Sequence, residues 1–118
     1  MNFIKLKSLI QVFANEYSKP SNIILLIGVP FNQEIKDIFK FIDCETIFVS
    51  NLFEIGIDIV SNYSDLPFED QSFDIIINFT ENDLFQFLKK NGTILTNYEV
   101  LNGKDYYNLN DTTFTVLN

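Results

Sequence analysis

The side chains in this sequence that could perform chemistry are carboxylates, lysines and tyrosines, because histidine is absent and cysteine occurs once, as Cys44. Without histidine, a Ser-His-Asp or Cys-His nucleophile and a zinc or haem site of the usual kind are excluded. The densest acidic group is Asp65, Glu69, Asp70 and Asp74, and Mg²⁺ needs only one or two carboxylates together with water. Carboxylates beside turns are usually solvated, so we predict no metal site and no catalytic residue.

The charge balance narrows the classes of partner. Sixteen carboxylates face eight lysines and no arginine, which gives a net charge of -8 and a pI near 4.2. Nucleic acid binding depends on cationic contacts with phosphate, so it is not expected here. The longest apolar run, Ile23–Val29, is shorter than the roughly 18 residues that suggest a membrane span. A lone cysteine fits a reducing compartment. We therefore expect a cytoplasmic protein that binds neither nucleic acid nor membrane.

Helix signals occur at three places in the chain, whose 118 residues we interpret as one domain, 1–118. Apolar residues at alternating steps of three and four predict a lead-in helix within 1–19. The same spacing predicts a second helix over Phe31–Ile42. A third helix is predicted over Thr80–Lys90, with Thr80 as its N-cap.

Strand signals alternate with these helices and then continue alone. The first strand, Asn22–Gly28, is apolar without polar alternation, which is typical of a parallel strand buried on both faces. The last two, Asp105–Leu109 and Thr112–Leu117, flank a turn pair and are predicted to be antiparallel. This order indicates a three-layer, Rossmann-like α/β domain with a mixed, mostly parallel sheet, a core over 22–98 and C-terminal strands in 99–118. The remaining strands are predicted at Thr46–Ser50, Ile55–Ser61, Ser72–Asn78 and Thr93–Val100.

Two connections are too short for a covering helix. Six residues separate Ser50 from Ile57, whereas a parallel crossover with its helix needs a dozen or more. The link from Glu99 to Lys104 is equally short. A parallel sheet without covering helices exposes apolar side chains, and large exposed apolar patches mark interaction surfaces. We predict that a protein partner or a second copy covers this bare face; the alternative is that the N-terminal helix folds across it.

Two motifs resemble those of class I S-adenosylmethionine-dependent methyltransferases. The run Ser64-Asp-Leu-Pro-Phe-Glu-Asp-Gln-Ser-Phe-Asp-Ile-Ile-Ile77 is similar to the family's Asp-Leu-Pro-Phe-x-Asp-x-Ser-Phe-Asp entry into the fourth strand. The run Leu88-Lys-Lys-Asn-Gly-Thr-Ile-Leu95 is similar to its Leu-Lys-Pro-Gly-Gly turn into the fifth strand. The resemblance extends over about 22–98 and implies a minimal methyltransferase fold with fewer helices. The alternative is that both runs are turns before buried strands.

The cofactor motif departs from the family pattern. The resemblance implies a loop Asp-x-Gly-x-Gly-x-Gly after the first strand, because the chain must pass close to the ligand there. Here Gly28 is the one glycine kept, while Leu26, Pro30 and Asn32 stand at the acidic and the other glycine positions. Pro30 fixes the backbone and Phe31 adds a ring where the ligand would sit. The resemblance therefore implies a degenerate pocket.

Three further positions complete the sites that the resemblance implies. The carboxylate that grips the ribose in the family falls on Ser50, and the acidic residue near the adenine amine falls on Asn62. Asn78 follows the fourth strand, where relatives place substrate-facing residues, but capping of the next helix explains this residue without chemistry and is the interpretation that we prefer. Gly28, Ser50 and Asn62 are thus the cofactor-binding candidates if a nucleoside ligand binds.

The sequence supports two functional hypotheses. The first is a non-catalytic binding or scaffolding subunit that retains a methyltransferase-like fold and has no cofactor. The alternative is an active methyltransferase on a small molecule, with Gly28, Ser50, Asn62 and Asn78 forming an atypical pocket for S-adenosylmethionine. A third possibility is another adenosine-like ligand in the same crevice.

Overall fold

A computed structural model describes residues 3–118 as an α/β fold with one mixed sheet of seven strands. The sheet order is β3-β2-β1-β4-β5-β7-β6. Strands β1 to β5 are parallel to one another, and β7 is antiparallel to both β5 and β6. The elements are α1 (Phe3–Tyr17), β1 (Ile23–Ile27), α2 (Gln33–Phe41), β2 (Glu45–Ser50), β3 (Ile59–Val60), β4 (Phe73–Asn78), a 3-10 turn (Phe85–Phe87), β5 (Leu88–Thr96), β6 (Asp105–Leu109) and β7 (Thr112–Leu117).

Both α-helices lie on one face of the sheet. Ile10 and Phe13 of α1 and Phe39 of α2 share a buried cluster with Ile24 and Leu26 of β1. The salt bridge Lys7–Glu34, 2.8 Å long, joins the two helices at the surface. The predicted lead-in helix is confirmed as α1 over Phe3–Tyr17; residues 1 and 2 of the predicted range lie outside the described residues.

The opposite face is covered by segments without α-helix. Leu25, Ile27, Val49 and Ile76 are fully buried there. The loop of residues 61–72 packs on them through Tyr63, Leu66 and Phe68, and the segment before β5 packs through Leu84 and Phe87. The prediction that missing helices leave a bare sheet face is therefore wrong, because apolar loop residues bury the strands instead.

The predicted helix over Thr80–Lys90 is also wrong. A 3-10 turn occupies Phe85–Phe87, and β5 begins at Leu88, which pairs with Phe73. Only the nine residues 79–87 connect β4 to β5. As a helix they would span about 14 Å, whereas the chain must return along a six-residue strand of roughly 20 Å. The segment is therefore more extended than a helix. Leu84, Phe87 and Leu88 have the spacing of a helix face, but here the extended chain buries them.

The strand predictions agree more closely with the structure. Strands β6 and β7 have the predicted bounds, whereas β3 is reduced to Ile59–Val60. Strand β5 starts earlier than predicted because it bulges opposite β4: Phe73 pairs with Leu88 and Ile75 with Thr93. Asn91 takes a left-handed conformation, φ 67°, inside this bulge rather than at a helix end.

Candidate functional site

The carboxyl edge of the parallel strands is where open α/β sheets bind ligands, at the point where the strand order reverses. That point lies between β1 and β4, since β2 and β3 lie on one side of β1 and β4 and β5 on the other. Gly28, Ser50, Asn62 and Asn78 all lie at or just beyond strand ends on this edge. The topology thus brings the predicted site residues to one edge of the sheet.

The crevice at the reversal point is closed at Gly28. The backbone N–H of Phe79 donates to the carbonyl of Ile27 at 2.9 Å, which continues the ladder between β1 and β4 past the strand end. Gly28 has φ 74°, and a Cβ there would lie 2.9 Å from Thr80 Cγ2 and 3.0 Å from the Phe79 carbonyl. Because Gly28 has no side chain, the segment that follows β4 can pass directly against its backbone.

Phe31 fills the space beyond Gly28 on the β2 side. Its ring meets Phe48 of β2 edge-on, with centroids 5.1 Å apart. A Cβ at Gly56, φ 93°, would overlap the same ring. Phe31 is thus held between β2 and the loop that leaves it, whereas Pro30 remains exposed. Asn32 begins α2 as its N-cap, accepting from Ile35 N–H at 3.1 Å.

Ser50 and Asn62 are occupied by local hydrogen bonds. The Ser50 hydroxyl accepts from Leu52 N–H at 3.1 Å. The Asn62 side-chain carbonyl accepts from both the N–H and the hydroxyl of Ser64, at 3.1 and 2.9 Å. The next residue, Tyr63, accepts the Asn51 N–H on its hydroxyl at 3.2 Å. Both predicted cofactor-binding side chains are therefore uncharged, and both accept hydrogen bonds that stabilise local turns.

Asn78 is buried, and both the oxygen and the nitrogen of its side-chain amide make hydrogen bonds. Its carbonyl oxygen accepts from the N–H and hydroxyl of Thr80, at 2.9 and 2.6 Å. Its amide nitrogen donates to the Asn82 carbonyl at 2.9 Å, and the Thr80 hydroxyl accepts from Asn82 N–H at 3.2 Å. This network shapes the turn after β4. The cap interpretation is therefore half right, since these side chains stabilise a turn, but no helix follows it.

A cavity of about 330 Å³ remains beside Gly28. Phe3 and Leu6 of α1 form part of its wall, and the walls are mostly apolar, with Asn97 as the one side-chain amide. Ser50 and Asn62 do not line it. Its lining residues are Phe3, Leu6, Gly28, Pro30, Phe79 and Asn97.

The residues of the two family-like motifs serve the fold. Leu66 and Phe68 pack on the sheet, and the Phe68 ring lies edge-on to Phe73 with centroids 4.9 Å apart. The Asp74 carboxylate accepts the Ile23 N–H at 2.8 Å and pairs with Lys89 at 3.5 Å. In residues 3–118, no group of three or more potential ligand side chains could hold a metal ion.

Sequence reasoning missed a larger cavity at the amino edge of the sheet, with a volume of about 540 Å³. The bulge in β5 aims Lys90 toward it, and Lys19 and Lys104 also line it, together with Glu16 and Asp74. The spacing of these lysines in the chain gives no signal of their meeting, because three separate connections bring them together. The opposite charges on its walls balance to within one unit, which favours no single class of ligand.

Two tyrosines beside this cavity join α1 to β6. The Tyr17 hydroxyl donates to Asp105 at 3.3 Å and the Tyr107 hydroxyl to Glu16 at 3.0 Å. Burial, followed by the charges of Asp105 and Glu16, raises the pKa of Tyr17 to about 12. Burial and the hydrogen bond to Glu16 raise the pKa of Tyr107 as well. Both groups stay protonated near neutral pH and act as links rather than as acids or bases.

The Cys44 thiol is half-buried and donates to the Lys19 carbonyl at 3.2 Å. Burial raises its pKa, so the reactive thiolate is disfavoured.

Comparison with known proteins gives no family. No family model matches the chain, and no curated protein is significantly similar to it. Among residues 3–118, no helix combines the length and apolar character needed to cross a membrane. Function must therefore be argued from the geometry.

Proposed function

We propose that this chain is a degenerate methyltransferase-like protein of the class I type that binds a protein partner and does not transfer methyl groups. The proposal assigns no catalytic residue, no metal and no resident cofactor. It rests on the closure of the carboxyl edge at Gly28 and Phe31, which is the observation that carries it.

The sheet supports the Rossmann-like part of the proposal. The doubly wound order is 3-2-1-4-5-6, and the order here differs by the insertion of β7, antiparallel, between β5 and β6. A mostly parallel sheet that ends in an antiparallel pair is what the resemblance implies. The helix layer on one face and the loop layer on the other agree with a reduced member of such a fold.

The closed crevice supports loss of the cofactor. A ligand at the reversal point needs the backbone after β1 to stand clear of the backbone after β4, but Gly28 and Phe79 are in contact. On the β2 side the Phe31 ring already packs against Phe48. The residues present therefore do not fit S-adenosylmethionine in the way the family motif would hold it.

The lost carboxylates add to this argument. A hydrogen bond to a charged group contributes roughly 1.5 to 3 kcal/mol, against about 1 kcal/mol for a neutral pair. Ser50 and Asn62 offer only neutral groups, and both already serve neighbouring backbone or hydroxyl donors. Since 1.4 kcal/mol is a factor of ten, loss of two charged grips weakens binding by about tenfold or more.

The cavity beside Gly28 favours a second candidate, an active methyltransferase with an atypical pocket. Its volume of about 330 Å³ lies at the lower end of the range for small-molecule sites. Of the proposed cofactor residues, however, only Gly28 lines it.

Titration with S-adenosylmethionine and S-adenosylhomocysteine separates the two candidates. We expect flat calorimetric isotherms and unchanged amide NMR spectra up to millimolar ligand, and no rise in melting temperature. An active methyltransferase titrated with the same ligand stocks serves as the positive control. Saturable binding would refute the proposal. Repeating the titration with Ser50→Ala and Asn62→Ala, and with Ser8→Ala on the exposed surface of α1 as control, would then locate the ligand.

A further inference from the structure

The connection from β2 to β3 presents exposed apolar side chains. Leu52, Phe53 and Ile55 are 66%, 83% and 90% exposed. They lie beside β3, the outermost strand on this side of the sheet, whose Val60 is half exposed. We call residues 51–55 the apolar loop. Two large apolar residues and an aromatic one within four positions form a patch of the kind that marks an interaction surface.

The apolar loop is held in a defined conformation. Its first residues are fixed by the hydrogen bonds from Asn51 N–H to Tyr63 and from Leu52 N–H to Ser50. At the other end Ile57 N–H donates to the Glu54 carbonyl at 3.2 Å, and Gly56 packs on the Phe31 ring. A preorganised loop loses less conformational entropy when it binds, which favours recognition through it.

The charge around the apolar loop indicates what binds it. Residues 41–88 contain ten carboxylates and no lysine, while the rest of the chain contains six carboxylates and all eight lysines. This stretch supplies the apolar loop, β2 to β4 and the loop that covers the sheet face beside them. Two copies that met through this region would bring like charges together, which opposes self-association. Five of the ten follow the carboxyl ends of β2, β3 or β4, at the edge of the sheet that carries the apolar loop: Glu54, Asp58, Asp65, Glu81 and Asp83. The other five lie at or before the amino ends of β2 and β4: Asp43, Glu45, Glu69, Asp70 and Asp74.

We propose that the apolar loop docks a basic, amphipathic segment of another protein, with Phe53 and Ile55 as the anchors. The inference rests on the proposed function as a binding subunit and names the chemistry of its partner. Apolar side chains of the segment cover the loop, and lysine or arginine side chains face the surrounding carboxylates. Strand β3 has two residues, too few to hold a partner by strand addition, so the loop side chains carry the contact.

Fluorescence anisotropy with synthetic peptides tests this proposal. The probe is a labelled helical peptide with leucine on one face and lysine on the other, and its counterpart carries glutamate in place of lysine. We expect the basic peptide to bind the full chain and the acidic one not to bind. Binding should weaken as salt screens the charges. The double variant Phe53→Ser with Ile55→Ser should weaken binding by about tenfold or more, as for anchor residues.

A matched control uses exposed apolar residues outside the acidic stretch of residues 41–88. Leu101 is 82% exposed and Val12 52% exposed, and their replacement by serine should change the affinity by less than about twofold. All four substituted side chains are exposed, so circular dichroism melts should match the wild type. Glu54→Lys provides a further check, because it should weaken binding of the basic peptide without removing an apolar contact.

Several results would overturn the proposal. These are no saturable binding at millimolar basic peptide, equal binding of the acidic peptide, or equal losses in the control variant. A wild-type dimer in sedimentation that the double loop variant abolishes would assign the surface to a second copy instead. Binding to phosphatidylcholine vesicles that requires Phe53 would assign it to a lipid surface. The cofactor titration described above fails or succeeds independently of all these outcomes.

Discussion

Replacement of Gly28 by alanine tests whether the edge of the sheet is closed. A side chain at φ 74° costs about 1 to 2 kcal/mol relative to glycine, partly offset by the lower entropy of the unfolded chain. The added Cβ would also meet Thr80 Cγ2 at 2.9 Å and the Phe79 carbonyl at 3.0 Å. Crowding of this kind costs about 1 to 3 kcal/mol, so we expect Gly28→Ala to lose about 2 to 4 kcal/mol.

Urea unfolding followed by far-ultraviolet circular dichroism measures this loss, since the chain has no tryptophan. A stability of 5 to 15 kcal/mol is typical, so the variant should remain folded, with a melting temperature lower by roughly 8 to 16 °C. Asn102→Ala provides the control, because Asn102 has φ 65° in an exposed turn. Its loss of stability reports the cost of a left-handed alanine without the crowding. It should lose about 1 kcal/mol or less.

The size of the loss separates two roles for Gly28. If the glycine leaves room for a ligand in an open crevice, alanine fits the free protein and lowers only ligand affinity. A loss for Gly28→Ala that is no larger than that for Asn102→Ala would therefore refute the closed edge, and with it the main support for the proposed function.

Two further predictions concern the loop layer and the tyrosine links. Phe68→Ala should lose about 3 kcal/mol in urea unfolding, which is the low end for a core phenylalanine because the ring is half-buried. Replacement of the exposed Phe85 by alanine should lose less than about 1 kcal/mol. Equal losses would contradict packing of residues 61–72 on the sheet. The folded-state pKa of Tyr17, about 12, exceeds its unfolded value of about 10, so its stabilising effect is present below pH 10 and lost as the pH rises through 12. Tyr17→Phe should flatten the fall in melting temperature over that range, and an unchanged slope would contradict the link to Asp105.

Sequence patterns predicted the elements in which the order of apolar residues and turn residues along the chain is typical of one kind of secondary structure. The unbroken apolar run of β1 is typical of a strand buried on both faces, and a turn pair separates β6 from β7 in the sequence. The structure has these three strands where expected. The helix predicted at Thr80–Lys90 failed because Leu84, Phe87 and Leu88 share their spacing with a helix face. Connection length, which the apolar spacing ignores, favours the extended path.

The bare sheet face failed as a prediction for a related reason. Only helices were counted as cover, whereas Tyr63, Leu66 and Phe68 bring a loop onto the sheet. Gly28, Ser50, Asn62 and Asn78 share one edge of the sheet because the carboxyl ends of parallel strands meet there whatever the loops do. The contact between Gly28 and Phe79 depends on the path after β4, and no local pattern encodes it.

The Phe31 ring, which closes the edge of the sheet, and the apolar loop of residues 51–55 are connected by direct packing at Gly56. Phe31 occupies the β2 side of the edge, and Gly56 rests on its ring, so the ring that closes the edge also supports the end of the connection carrying Phe53 and Ile55. The closure of the edge, on which the proposed absence of a cofactor depends, and the position of the proposed docking loop therefore both depend on the Phe31 ring.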